Sequence, residues 1–217
     1  MIEAIFATDG SALKKPNGKY WSAGGFVARV YDYPDINNPT ERNELKRTEY
    51  ALAIDNGTNN IGELTGLKYA VDCAIDLQEA CTADIFFVFL LDSEYTIKSV
   101  TKWCVKWHRE AKNHDGVPTT ASGTPVKNYE IIWDIHEKLK KLKHKAVFKV
   151  RSHIENNELA LKKGWHEFCS VNEYELSYKT WLEFRQMNEE VDALVNGKCN
   201  ALKDGRLSSE EMENGEE

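Results

Sequence analysis

The sequence predicts an α/β fold: a mixed five-stranded sheet, built from an antiparallel hairpin and parallel strands, with helices on its faces. Three observations carry this. Residues 85–91 (Ile-Phe-Phe-Val-Phe-Leu-Leu) are apolar on both faces, the pattern of a central strand covered from both sides. Residues 22–30 and 48–54 read as antiparallel neighbours, the second with Thr48, Tyr50, Leu52 and Ile54 in alternation. Residues 61–81 place Leu64, Leu67, Val71, Ala74 and Gln78 on one face of a helix.

The remaining elements follow in order. Residues 2–8 form the first strand, and residues 32–43 a polar loop containing Pro and Asn. Residues 93–111 predict a helix, with Ile97, Val100, Cys104, Trp107 and Ala111 at helical spacing. A glycine-containing loop spans 112–124. A third helix is expected over 125–142, with Pro125 near its first turn. Residues 146–150 form the last strand and 191–202 a short final helix. One domain is expected over residues 1–203. Residues 204–217 are acidic and poor in apolar side chains, which predicts a disordered tail. There is no internal repeat.

A chain of 217 residues with 41% hydrophobic content can bury an ordinary core. Its longest apolar run is too short to span a bilayer, and Met1 leads into a strand with no secretory pattern. Five cysteines without a CxxC pair read as reduced cytosolic thiols, which predicts a cytoplasmic protein, and a monomer without a membrane partner is expected. The net charge is −7, yet residues 97–151 hold 13 Lys and Arg against 5 Asp and Glu. A basic middle in an acidic chain suggests a local phosphate-binding surface.

Four acidic residues stand in distinctive contexts. Asp9 lies in Thr8-Asp9-Gly10-Ser11, and Glu63 follows Thr58-Asn59-Asn60. Asp92 lies in Asp92-Ser93-Glu94-Tyr95, and Asp192 in Asn188-Glu189-Glu190-Val191-Asp192-Ala193-Leu194. Asp9 and Asp92 end or interrupt strand-like runs, while Glu63 and Asp192 sit near helix starts. From such positions four side chains can converge on one sheet edge. Converging carboxylates repel one another without a partner, and hard oxygen ligands suit magnesium or manganese.

Taken with Pro125-Val126-Lys127-Asn128 and a late histidine, these motifs resemble type 1 ribonuclease H over about residues 1–200. The resemblance implies a ribonuclease H-like fold. It also implies an endonuclease that cuts the RNA strand of RNA–DNA hybrids with two Mg2+ ions (Mn2+ substituting) and leaves 5′-phosphate ends. Asp9 would bridge both ions, Glu63 and Asp92 would hold the ion nearer the leaving group, and Asp192 the ion that activates water. His153 would assist proton handling or product release, with His166 as its rival. Thr58, Asn59 and Asn60 would meet the hybrid's minor groove. Trp103, Arg109, Lys127 and Asn128 would continue a basic face that grips the DNA strand. Glu94 stands where an amide is common and would repel phosphate.

The chain departs from the family pattern in one place: 38 residues, 154–191, separate His153 from Asp192. Residues 154–188 therefore read as an insertion. Its aromatic content predicts one or two packed helices beside Asp192, or else an exposed patch for a protein partner. Two rivals to the hybrid nuclease are another nuclease of this fold, such as a 3′–5′ exonuclease, and a catalytically silent binding module.

Overall fold

The computed structural model describes residues 2–33, 42–111, 116, 118–120, 122–207 and 212–214. Its sheet has the strand order β5-β4-β1-β2-β3-β6, with helices on both faces. Strand β1 (Ile2–Lys14) pairs antiparallel with β2 (Tyr20–Asp32), and β2 with β3 (Asn43–Asp55). On the other side β1 pairs parallel with β4 (Ile85–Leu91), and β4 with β5 (His144–Lys149).

Two pairings of different length set up the site. The β1–β2 hairpin runs to Lys14↔Tyr20, but the β1–β4 pairing stops at Thr8↔Leu91. Strand β1 therefore extends beyond the expected end at residue 8, and Asp9 lies inside it. Its neighbour on the β4 side is the chain as it leaves that strand, where Asp92 stands.

Alternation divides the core. Ala4, Phe6, Phe87, Phe89 and Leu91 face helix α1 (Asn59–Ala80) and helix α4 (Tyr129–Lys141). Ile5, Ala7, Val88 and Leu90 face the opposite layer, α5 (Glu158–Asn172) and α6 (Tyr178–Lys203). Strand β4 is thus buried on both faces, as its apolar run requires. No helix among the described residues is long and apolar enough to cross a membrane.

Glycines bring α1 unusually close to the sheet. A Cβ at Gly10 would lie 2.2 Å from the Glu63 backbone nitrogen, and one at Gly24 would lie 2.1 Å from the Gly62 carbonyl oxygen. The first turn of α1 therefore rests on bare backbone, which seats Glu63 against β1.

Four expectations need correction. The helix expected over 93–111 is broken into α2 (Glu94–Lys98), a π-helical turn (Ser99–Trp103) and α3 (Cys104–Ala111). Thr101 Oγ1 donates to the Ile97 carbonyl at 2.6 Å and Cys104 Sγ to the Val100 carbonyl at 3.4 Å, so side chains share carbonyls with the helical ladder. The helix expected from Pro125 begins only at Tyr129. Pro125 pairs with Thr119 in an isolated bridge, and Asn128 takes a left-handed conformation at φ 60°, which cannot continue a helix. The short final helix is the second half of α6, a single helix of 26 residues that begins inside the insertion. Lastly, Met212–Asn214 of the acidic tail form β6, a parallel edge strand on β3, so the sheet has six strands. Residues 34–41 of the expected loop over 32–43, and residues 112–115, 117 and 121 of that over 112–124, lie outside the described residues.

The insertion folds as α5 and the first half of α6. Phe168, Trp181, Phe184 and Met187 are buried in the core against Phe148 and Val150. These aromatics are core, so the expectation of an exposed aromatic patch fails for them. Ion pairs fix the same layer: the Arg29 guanidinium on β2 grips Glu190 at 2.8 and 2.9 Å, and Arg42 pairs with Glu3 at 2.8 Å and with Glu183.

Candidate metal centre

Asp9, Glu63 and Asp92 each offer a carboxylate oxygen within 4.8 Å of the other two. They come from β1, from the first turn and a half of α1, and from the residue after β4. Asp9 is 5% and Glu63 4% exposed. Asp9 Oδ1 accepts from the Gly10 amide at 2.7 Å. Burial, then the charge of Asp92, pushes the Asp9 carboxyl up to about 8. Burial, then the charges of Asp9 and Asp92, pushes Glu63 up to about 9, against the lowering effect of the Asn59 amide.

Two buried oxygens in the cluster, Glu63 Oε2 and Asp92 Oδ1, have no hydrogen-bond partner. A buried carboxylate oxygen without a donor is costly. Orphaned oxygens, clustered like charges and an all-oxygen donor set together fit a divalent hard cation. Asp92's other oxygen accepts from the Ser152 hydroxyl, on the segment after β5.

Asp192 stands outside the three-way cluster but beside Asp9. Its charge helps raise the Asp9 carboxyl, with which it comes within hydrogen-bonding reach. It rides on α6, across the sheet from α1. Asp192 Oδ1 accepts from Asn196 Nδ2 at 3.0 Å, and Asn196 Oδ1 accepts from Ser11 Oγ at 2.6 Å. Sequence reasoning misses Ser152, Asn196 and Ser11. Only spacing hints at two of them: Ser11 shares Asp9's strand face at i+2, and Asn196 shares Asp192's helix face at i+4.

His153 is exposed, at φ 54°, and follows Ser152 directly. His166 lies on α5 with its ring 4.7 Å from that of Trp165. Of the two histidines, His153 is the one joined in sequence to a residue that touches the acid cluster.

Thr58 caps α1, its hydroxyl accepting from the Ile61 amide at 3.4 Å. Thr58, Asn59 and Asn60 are all exposed at the helix start, and the Asn59 amide also reaches Glu63. Trp103 ends the π turn, 38% exposed, its ring 5.8 Å from Trp107 and 6.3 Å from Tyr95. Arg109 and Lys127 are exposed at the surface, and Asn128 is half-buried. Glu94 is exposed, and Lys98 and Lys149 (3.0 Å) hold its carboxyl down to about 2. Two lysines answer its charge, so the expected repulsion of phosphate is offset.

The family model for RNase H matches residues 2–162. Ribonuclease H of Tropheryma whipplei (strain Twist) is 32% identical over 133 residues, 61% of this chain and 63% of that protein. Ribonuclease HI of Streptomyces coelicolor is 34% identical over 136 residues, covering 63% of this chain and 47% of that protein. The chain thus spans about half to two thirds of these relatives. The solution structure of the PFV RNase H domain aligns over 80% of this chain and 93% of that one, at TM-score 0.50 and 20% identity. LC9-RNase H1, described as a type 1 RNase H with the type 2 active-site motif, aligns over 82% and 80% at TM-score 0.51 and 16% identity. The chain belongs to the RNase H family, and its fold is the RNase H-like α/β fold. The family match ends before α6, so Asp192 is brought to the site by the fold of this chain.

Proposed function

We propose that this protein is an endonuclease that hydrolyses the RNA strand of RNA–DNA hybrids with two divalent cations, Mg2+ or Mn2+, leaving 5′-phosphate ends. The observation that carries this is the convergence of Asp9, Glu63 and Asp92, two of them with an orphaned buried oxygen, in an RNase H fold. Asp9, central among the acids, would bridge the ions, with Glu63 and Asp92 on one side and Asp192 on the other. When bound, divalent cations supply Lewis acidity to the phosphate oxygens and lower the pKa of the attacking water.

The chain's own residues do the rest. The Gly10 amide and the Ser152 hydroxyl each donate to one oxygen of a carboxylate, Asp9 Oδ1 and Asp92 Oδ2. The exposed Asn59 and Asn60 amides offer donors and acceptors to 2′-hydroxyls, the groups that distinguish RNA from DNA. The N-terminus of α1 beside them favours phosphate. His153, exposed after Ser152, can carry a proton to or from the scissile region.

The test is cleavage of labelled hybrid against duplex DNA of the same sequence, in Mg2+ and in excess chelator. Cutting confined to the hybrid and to the Mg2+ samples is expected. Equal cutting of duplex DNA, or full activity in chelator, would overturn the reading.

The basic face makes a separate prediction. Lys127→Ala and Arg109→Ala should each weaken hybrid binding and reduce the slope of log affinity against log salt by about 0.7–0.9 for each phosphate that is no longer neutralised. Losses should be similar across sequences, because phosphate contacts position but do not specify. The rate at saturating hybrid should change little. Unchanged affinity and unchanged salt slope would make these side chains an ordinary solvated surface.

A further inference from the structure

The geometry points to Asn196, oriented by Ser11, as the positioning residue that sets Asp192 against the metal centre. The inference rests on the proposed role of Asp192 as a ligand. Its basis is a relay of two hydrogen bonds. Ser11 Oγ donates to Asn196 Oδ1 at 2.6 Å, and Asn196 Nδ2 donates to Asp192 Oδ1 at 3.0 Å.

Each link fixes the next. Ser11 is 8% exposed and lies two residues beyond Asp9 on the same continuous strand. Its own carbonyl accepts from Ser22 Oγ at 2.9 Å, which ties that stretch of β1 to β2. A carboxylate can only accept, so the Asn196 group facing Asp192 must be the NH2. The oxygen then faces Ser11, whose hydroxyl supplies the proton. The reversed amide would set oxygen against the Asp192 carboxylate. The donor occupies Oδ1 and leaves Oδ2 for a cation.

The relay answers a problem that this chain poses. Glu63 and Asp92 are seated on β1 by backbone, through glycine contacts and strand pairing, whereas α6 packs on β1 and β2 through side chains. Asp192 is carried on a 26-residue helix in the opposite layer, which begins within the insertion. A slide or rotation of that helix by a fraction of a turn would carry its carboxylate away from Asp9. Asn196, one turn further along, references the helix to the strand that carries Asp9.

The test uses the full chain and five variants: Asn196→Ala, Ser11→Ala, Ser11→Thr, Ser11→Ala with Asn196→Ala, and Asp192→Asn. Two quantities are read: the Mg2+ concentration for half-maximal hybrid cleavage, and Mn2+ binding by electron paramagnetic resonance without turnover. Loss of an outer partner of a metal ligand commonly weakens metal affinity or activity about 10- to 100-fold. Asn196→Ala should therefore raise the half-saturating Mg2+ about 10-fold, weaken Mn2+ binding in parallel and leave hybrid KM unchanged. Ser11→Ala should raise it roughly 3-fold, and Ser11→Thr, which keeps the hydroxyl, should restore it. The double variant should be no worse than Asn196→Ala alone, since both act through one relay.

Wild-type metal dependence in Asn196→Ala, or strictly additive losses in the double variant, would overturn the relay. If Asp192→Asn is impaired in that case, Asp192 remains a ligand and only the relay fails. If Asp192→Asn also behaves as wild type, the proposed role of Asp192 fails with it. Ser11→Thr keeps the test decisive should Asn196→Ala fold poorly, because a purely packing role for Ser11 would not be rescued by a larger side chain.

Discussion

Asp9→Asn should abolish hybrid cleavage and, in the absence of metal, make the protein more stable. The loss of activity follows from its central place among the acids. Lewis-acid stabilisation of a transferring phosphate is worth several kcal/mol, so losing it should cost at least about 10³-fold in rate. The gain in stability follows from burial and repulsion. Asp9 ionises only near 8 and Glu63 near 9 in the folded chain, against ordinary values of 3.8 and 4.5. The folded state therefore binds more protons than the unfolded state from about pH 4 to about pH 9. Over that window, metal-free stability falls as pH rises, by up to about 1.4 kcal/mol per unit for each retained proton. Asparagine mimics the protonated acid. The variant and wild type should match only below about pH 4 and diverge between about pH 4 and about pH 8, with Asn ahead by at least about 1.4 kcal/mol at pH 9.

Magnesium should stabilise wild type more than the variant. Binding to the folded state at about 100 times its dissociation constant contributes about 2.7 kcal/mol, chiefly to wild type. Thermal melts from about pH 4 to about pH 9, with and without Mg2+, measure all of this. An Asn variant less stable than wild type in chelator at pH 9 would count against mutual repulsion in the cluster.

Gly10→Ala should damage both the fold and the site. The new Cβ would lie 2.2 Å from the Glu63 nitrogen and 2.5 Å from the Gly62 carbonyl carbon. Both are backbone atoms of α1, so no side-chain rotation relieves the clash, and the helix must move. Overpacking of this kind costs about 1–3 kcal/mol. Glu63 moves with the helix, and a misplacement of about 1 Å at a catalytic group costs on the order of 10²-fold in rate. Gly197→Ala is the matched control. Nothing lies within 4 Å of its new Cβ, and it sits inside α6. Ala there should stabilise by about 0.5–1 kcal/mol. Gly10→Ala with wild-type melting temperature and wild-type Mg2+ dependence would refute the close seating of α1.

Most of the fold was legible because its elements have unambiguous periods. The run 85–91 is apolar on both sides and is buried on both. The helix expected over 61–81 matches α1 to within two residues at its start. Boundaries failed where tertiary pairing overrides local pattern. Strand β1 continues past Asp9 because β2 runs opposite it to Lys14, and the Pro125 segment is drawn into a bridge with Thr119. The insertion hid the length of α6, since its first half reads as part of a spacer and not as the helix that carries Asp192.

The acids were legible because each stands in a recognisable local motif. Their donors were not. Ser11 and Asn196 are 185 residues apart, and Ser152 and Asp92 are 60 apart. No local pattern marks a serine whose partner is set only by the packing of strand against helix. The close approach of α1 was equally silent: Gly10 and Gly62 read as ordinary glycines until the helix is laid across the strand.

The central claim is that Asp9, Glu63 and Asp92 hold the cation on which hybrid cleavage depends. It is tested most directly by titrating Mn2+ into wild type, Asp9→Asn, Glu63→Gln and Asp92→Asn under electron paramagnetic resonance, with hybrid cleavage assayed on the same samples. Wild type should bind Mn2+ and cut hybrid over the same concentration range, and each substitution should weaken binding and cleavage together. Mn2+ affinity unchanged in all three variants, or cleavage that persists when no Mn2+ is bound, would contradict it.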